Sequence, residues 1–144
     1  MDEFMELAIV EAKKGLEEGG IPIGSVLMRN GQVLGRGHNR RVQKASPTLH
    51  AEIDCLENAG RIGSYRDAVL YSTLMPCYLC AGAVVQFGIK RVVAGESETF
   101  PGAKDFMEEH GVEVVDLDLE ECKSLMRDFI KNNPELWNED IGEE

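Results

Sequence analysis

Apolar positions recur at helical spacing from the start of the chain. Phe4, Leu7, Ala8 and Ala12 share a face among Glu and Lys, which predicts an amphipathic helix over 4–18 ending at Gly19-Gly20. The pattern then changes: residues 21–28 are apolar and partly β-branched, Asn30-Gly31 follows, and a return run covers 32–37. Asn-Gly between two such runs predicts a two-residue hairpin, because both turn positions need positive φ. Gly35 and Gly37 near the end of the return strand predict a bulge or a close backbone approach. Residues 38–49 are polar and read as loop. A helix is expected from His50 to Asn58 with Gly60 past its end, then a short strand over 69–73. Pro76 opens a helix from Cys77 to Phe87, Gly88 stops it, and 89–94 is a further strand. Helix 106–110, strand 112–115 and helix 118–132 complete the pattern, the last with Leu119, Cys122, Leu125, Met126 and Phe129 on one face. Pro134 breaks that helix, and a short tail runs through Trp137.

A hairpin followed by alternating helices and strands implies an α/β fold, a mixed sheet covered on both faces. No repeat, low-complexity stretch or linker interrupts residues 1–144, so a single domain is expected. Hydrophobic residues make up 43%, enough for a packed core. No apolar run reaches the length of about 18 residues that a membrane span needs, so no membrane partner is expected. Met1-Asp2-Glu3-Phe4 lacks the basic and apolar regions of a signal peptide, so a cytoplasmic location is expected. The net charge of −11 weighs against a nucleic-acid partner, because phosphate binding draws on Lys and Arg. Arg36, Arg40, Arg41 and Lys44 form the nearest approach to a basic patch and are a thin footprint.

Cysteine stands at 55, 77, 80 and 122. In a reducing compartment such thiols stay free, which points Cys77 and Cys80 toward metal or redox chemistry. They are three residues apart in the first turn of an expected helix, so they share a face, and the helix dipole favours their thiolates. His50 stands at the start of another helix. One imidazole and two thiolates suit Zn²⁺, and three protein ligands leave a fourth position for water, the arrangement of a catalytic zinc. Zinc lowers the pKa of such a water to about 7. Glu52, two residues from His50, can stand beside that water without being a ligand and is the acid/base candidate. A Cys-x-x-Cys that follows a strand and opens a helix also suits a redox pair. A structural zinc would need a fourth Cys or His, whereas Cys55 and Cys122 fall on apolar helical faces where cysteine acts as a small hydrophobe. Neither alternative gives His50-Ala51-Glu52 a task. His38 and His110 read as loop or helix-end residues. The joint pattern, His-x-Glu and then Pro-Cys-x-x-Cys, is the signature of zinc nucleobase deaminases.

On these residues the chain resembles the cytidine/deoxycytidylate deaminase superfamily, and more narrowly the fungal-type cytosine deaminases, small dimeric enzymes that convert free cytosine to uracil. The similarity runs through Gly19-Gly20-Ile21-Pro22-Ile23-Gly24, Leu34-Gly35-Arg36-Gly37-His38-Asn39, Thr48-Leu49-His50-Ala51-Glu52 and the tail from Trp137 to Glu143. The resemblance implies a cytidine deaminase-like three-layer α/β/α sandwich with a central mixed five-stranded sheet. It implies one catalytic Zn²⁺ per subunit on His50, Cys77 and Cys80, Glu52 as the proton carrier, a homodimer, and hydrolysis of cytosine to uracil and ammonia in pyrimidine salvage. Asn39 would then meet the base edge and the Ala51 amide the carbonyl at position 2. Asp140 would accept from the exocyclic amine, Phe100 and Trp137 would lie over the ring, and Ile23 would line the other side. The chain departs from the fungal pattern at Met75 (usually serine), at Tyr78-Leu79 between the cysteines, and at Ala51 (usually glycine). The same motif would serve a deaminase of another small heterocycle such as guanine, or a tRNA adenosine deaminase. Outside enzymes, a zinc-binding or redox module is the competing reading.

Overall fold

In the computed structural model, which describes residues 2–143, helix α1 (Glu3–Glu17) is capped by Asp2, whose carboxylate accepts from the Phe4 amide at 2.8 Å. Strands β1 (Gly24–Arg29) and β2 (Gln32–His38) form the expected antiparallel hairpin, with Asn30 and Gly31 both at positive φ. Leu27 pairs with Gly35 and Met28 with Val33, so Leu34 is the extra residue of a bulge. β1 also pairs antiparallel with β3 (Ala68–Ser72). β3 pairs parallel with β4 (Arg91–Ala94), and β4 with β5 (Glu113–Asp116). The five-stranded mixed sheet therefore runs β2-β1-β3-β4-β5.

Strict alternation along the strands divides the core. Leu27, Leu70 and Val92 point to one face and pack against Cys55, Ala81, Val84 and Met107. These come from α3 (Ala51–Ala59), α4 (Tyr78–Phe87) and α5 (Lys104–Glu109). Val26, Tyr71 and Val93 point to the other face, where Met5, Ala8 and Ile9 of α1 meet Cys122 of α6 (Glu120–Asn132). The result is the three-layer α/β/α sandwich. A third cluster, including Ile21, Ile23, Leu74, Met126, Phe129 and Trp137, closes one end of it.

The details differ from the sequence expectation in four places. β1 starts at Gly24, not at 21, because Pro22 has no N–H for the ladder and the Ile23 amide turns back to the Ile21 carbonyl at 2.8 Å. The polar stretch 38–49 contains a one-turn helix, α2 (Arg41–Lys44), closed by Ala45 at φ 50°. Four residues are too few to show a period. Pro134 does end α6, yet it also opens a further helix, α7 (Pro134–Asp140), because a first-turn position has no use for the missing N–H. Cys77 is the N-cap of α4 with extended backbone, so only Cys80 lies within the first turn.

Candidate active site

α3 and α4 begin side by side at the end of the sheet where the parallel strands β3 and β4 finish. His50 caps α3 and Cys77 caps α4, both in extended conformation, and Cys80 follows one turn into α4. The donor atoms of the three lie within 4.8 Å of one another. His50 Nδ1 and Cys77 Sγ are 3.5 Å apart. A tetrahedral zinc bonded to an imidazole nitrogen and a thiolate sulphur sets those two donors about 3.5 Å apart, so the donor set fits the ion in type and spacing. The other ring nitrogen, Nε2, faces Asp140 Oδ1 at 3.7 Å, which turns Nδ1 toward the thiols. A hydrogen bond from the Cys80 thiol, then one from His50 and one from the Cys80 amide, pull Cys77 down to about 4 against its burial. That same thiol–thiol bond, with burial, pushes Cys80 well above the ordinary thiol range.

Glu52 is the second residue of α3 and is 5% exposed. Burial, and then the charge of Cys77, push its carboxyl up to about 7 while His50 opposes the shift. A buried carboxyl poised near neutrality both takes and gives protons at working pH.

Beside these groups lies a small cavity, mostly enclosed by side chains. The expected residues Ile23, Asn39, His50, Glu52, Cys77, Phe100, Trp137 and Asp140 all line it. Cys80 and Ala51 are fully buried and are not part of its wall. As the first residue of α3, Ala51 has an amide without an intrahelical partner. Leu74, Met75 and Ile141 complete the lining. The Phe100 and Trp137 rings meet edge to face, centroids 6.0 Å apart and planes at 87°.

The polar wall is itself bonded. Asn39 Oδ1 accepts from the Arg41 amide at 3.0 Å, and Asn39 Nδ2 donates to Asp140 Oδ1 at 3.3 Å. One amide hydrogen and one lone pair remain for a ligand. Burial raises the Asp140 carboxyl, while His50 and Arg41 pull against that shift. The turn carrying Phe100 is held by Glu96, fully buried, whose carboxylate accepts from the Thr99 amide at 2.8 Å. The Glu96 carbonyl accepts from the Met75 amide at 2.9 Å, tying the Phe100 turn to the segment that leads into Cys77.

Met75, noted from sequence as a departure from the fungal pattern, does line the cavity, whereas Leu74, Ile141, Arg41 and Glu96 were not singled out for these positions from sequence. Leu74-Met75 and Ile141 adjoin recognised motif residues, which was the available signal. Arg41 showed only as part of a thin basic patch, and Glu96 showed no signal. His38 is not a loop residue. It ends β2, buried, with Nδ1 3.0 Å from Glu11 Oε1 and Nε2 2.8 Å from Glu18 Oε1, and so ties β2 to α1. His110 caps α5, its Nδ1 2.9 Å from the Phe106 carbonyl. Cys55 and Cys122 are free thiols buried in the two faces of the core.

Residues 1–96 match the family described as the cytidine and deoxycytidylate deaminase zinc-binding region. The chain is 51% identical over 142 residues to the cytosine deaminase of Candida albicans (strain SC5314 / ATCC MYA-2876), covering 96% of this chain and 95% of that protein. It is 38% identical over 140 residues to the tRNA-specific adenosine deaminase of Bacillus subtilis (strain 168), covering 89% and 87%. Its fold matches a solved structure from a study of A-to-I editing by tRNA:A34 deaminases at the wobble position of transfer RNA. The TM-score is 0.77 and the identity 32%, over 85% of this chain and 98% of that one.

Proposed function

The chain belongs to the cytidine and deoxycytidylate deaminase zinc-binding family, and from that premise we propose that it hydrolyses free cytosine to uracil and ammonia, as a step of pyrimidine salvage. The observation that carries this reading is the small cavity that brings Glu52 and the His50–Cys77 edge of the metal cluster against an Asn39–Asp140 pair, under an aromatic cover. His50, Cys77 and Cys80 hold one zinc per subunit. Zinc, when bound, supplies the Lewis acidity that makes water a nucleophile at neutral pH. Glu52 accepts one proton of the attacking water and delivers it to the ring nitrogen beside the reacting carbon. It then takes the second proton from the new hydroxyl on that carbon and passes it to the amine, which leaves as ammonia as the C–N bond breaks and the carbonyl forms. The free hydrogen and lone pair of the Asn39 amide read the base edge, and the Ala51 amide donates to the carbonyl at position 2. Asp140 accepts from the exocyclic amine. Phe100, Trp137 and Ile23 enclose the flat ring and exclude water.

The relative that acts on tRNA makes polynucleotide deamination the competing reading. A net charge of −11 and a cavity roofed by Trp137 weigh against admitting a nucleotide on its backbone. A single domain in a cytoplasmic homodimer completes the proposal. Exposed Tyr78, Leu79 and Phe87 on α4, beside Gly82 with open space around it, support the pairing. Ammonia release should be measured with cytosine, cytidine, guanine, adenine and a tRNA anticodon stem-loop. Cytosine is expected to be the best substrate, and faster turnover of any of the others overturns the assignment. Glu52→Gln should keep zinc by elemental analysis and lose about 100- to 10,000-fold in turnover.

A further inference from the structure

The polar wall of the cavity is organised by a residue that does not line it. Arg41 is the first residue of α2, and its side chain is 10% exposed. Its backbone N–H donates to Asn39 Oδ1 at 3.0 Å, which fixes the way the Asn39 amide is turned. Its Nε donates to the Pro47 carbonyl at 3.0 Å, which fixes the guanidinium plane. Its Nη1 then stands 3.4 Å from Asp140 Oδ1 and 3.6 Å from Glu139 Oε1. Asp140 Oδ1 thus faces Arg41 Nη1, Asn39 Nδ2 and His50 Nε2 together. Among the described residues, no hydrogen bond or ion pair falls on Asp140 Oδ2.

This arrangement answers an electrostatic difficulty. Asp140 is the last residue of α7, where the helix dipole already places partial negative charge, and Glu135 and Glu139 lie on the same short helix. A buried carboxylate there, across the cavity from Glu52, needs a cation to hold it in place. Among the described residues, α7 has ion-pair contacts only with Arg41 and His50. His50 belongs to the metal cluster, so Arg41 is the counter-ion left to hold Asp140.

We propose that Arg41 is a positioning residue for substrate binding: it holds Asp140 through Oδ1 so that Oδ2 is left to accept from the exocyclic amine of the base, and by the same contact keeps α7 seated over the cavity. The proposal rests on the reading that Asp140 receives that amine. Arg41 touches neither the base nor the metal ligands. Its loss therefore weakens binding rather than chemistry, and its effect vanishes once Asp140 can no longer be held.

The test is a double-mutant cycle on the zinc-loaded enzyme with cytosine. Asp140→Asn alone examines the underlying reading: an unchanged KM removes Asp140 from base recognition and leaves Arg41 nothing to position. If Asp140→Asn does raise KM, then Arg41→Gln should raise it about 10-fold, with kcat within about threefold of the parent and zinc content unchanged. Arg41→Lys should recover part of the loss, because it restores the charge without the Nε bond to Pro47. In the Asp140→Asn background, Arg41→Gln should add little. An Arg41→Gln effect of the same size in both backgrounds, a fall in kcat without a rise in KM, or no effect at all overturns the proposal. Glu139→Gln separates the specific contact from general charge on α7, since Glu139 is largely exposed and its pair with Arg41 is weak. Its KM should stay within about twofold of the parent, and a rise equal to that of Arg41→Gln also overturns the proposal.

Discussion

Cys55 and Cys122 are the two cysteines buried in the apolar clusters on either face of the sheet. Cys55 is fully buried with its Sγ 3.4 Å from the Gly35 carbonyl, Cys122 is 1% exposed, and burial pushes both thiols up to about 12. Neither thiolate forms at neutral pH, and neither sulphur is within reach of a reagent. Cys77 is half-buried on the cavity wall. In chelator-treated protein at pH 7, iodoacetamide should therefore label Cys77 and leave Cys55 and Cys122 unmodified in peptide mass spectra, with added zinc protecting Cys77. Labelling of Cys122 before Cys77 would contradict this placement. The distinction was legible beforehand, because Cys55 and Cys122 fall on apolar helical faces and Cys77 does not. Long-range polar contacts were not legible in the same way. Asn39 and Asp140 meet across 101 residues of chain, and no local spacing encodes such a pair. The resemblance pointed to both residues as base contacts. It did not show that they bond each other, nor that Arg41 turns them.

At the scale of elements, the register between β2 and α3 decides where Glu52 stands. A Cβ on Gly35 would come within 2.7 Å of Ala59, and one on Gly37 within 2.6 Å of the Cys55 amide nitrogen, so α3 lies directly on the strand. The Asp54 carboxylate also accepts from the His38 amide, across the same seam, at 3.1 Å. Gly37→Ala must push α3 outward, and α3 carries His50 as its cap and Glu52 in its first turn. The substitution should cost about 1–3 kcal/mol in urea unfolding and weaken zinc retention under chelator competition. Wild-type stability with wild-type zinc retention would show that the seam yields without consequence. The two glycines announced this approach in the sequence, and the bulge at Leu34 accompanies it. α2 and α7 were hidden for different reasons. α2 is a single turn without an apolar stripe. α7 follows a proline that reads as an end of helix, although the same proline suits a helix start. α7 covers the cavity and α2 stands behind its polar wall, so the frame of the site was more legible than its roof.

Across the whole molecule, a charge of −11 leaves few cations for the carboxylates that folding buries. The tie between α1 and the sheet is the instructive case. Glu11, 5% exposed on α1, receives the Arg36 Nε at 2.8 Å and lies 3.0 Å from His38 Nδ1, while Glu18 lies 2.8 Å from the other ring nitrogen. Burial alone would raise the Glu11 carboxyl. The bonds from His38 and Arg36, with the nearby charge of Lys14, outweigh burial and hold it below the ordinary 4.5. A carboxyl depressed on folding contributes stability that is fully present above its unfolded value and is lost as pH falls through its folded one. Glu11→Gln removes that charge while keeping the shape. It should lower stability at pH 7 by about 2 kcal/mol, or roughly 5 °C in Tm for a chain of this size. The gap to wild type should then narrow as pH falls below the ordinary 4.5 and on through the lower folded value of Glu11, closing once Glu11 is protonated in both states. Glu18, on the far nitrogen of His38, is also depressed, first by that hydrogen bond, but it titrates in both proteins and cancels from the difference. Asp54, which faces the same strand from α3, is held separately by Arg40 at 2.8 Å. A gap that stays constant from pH 7 to about pH 3 would mean that Glu11 stabilises the fold by packing alone, and that α1 is held to the sheet by its apolar face without help from this charge.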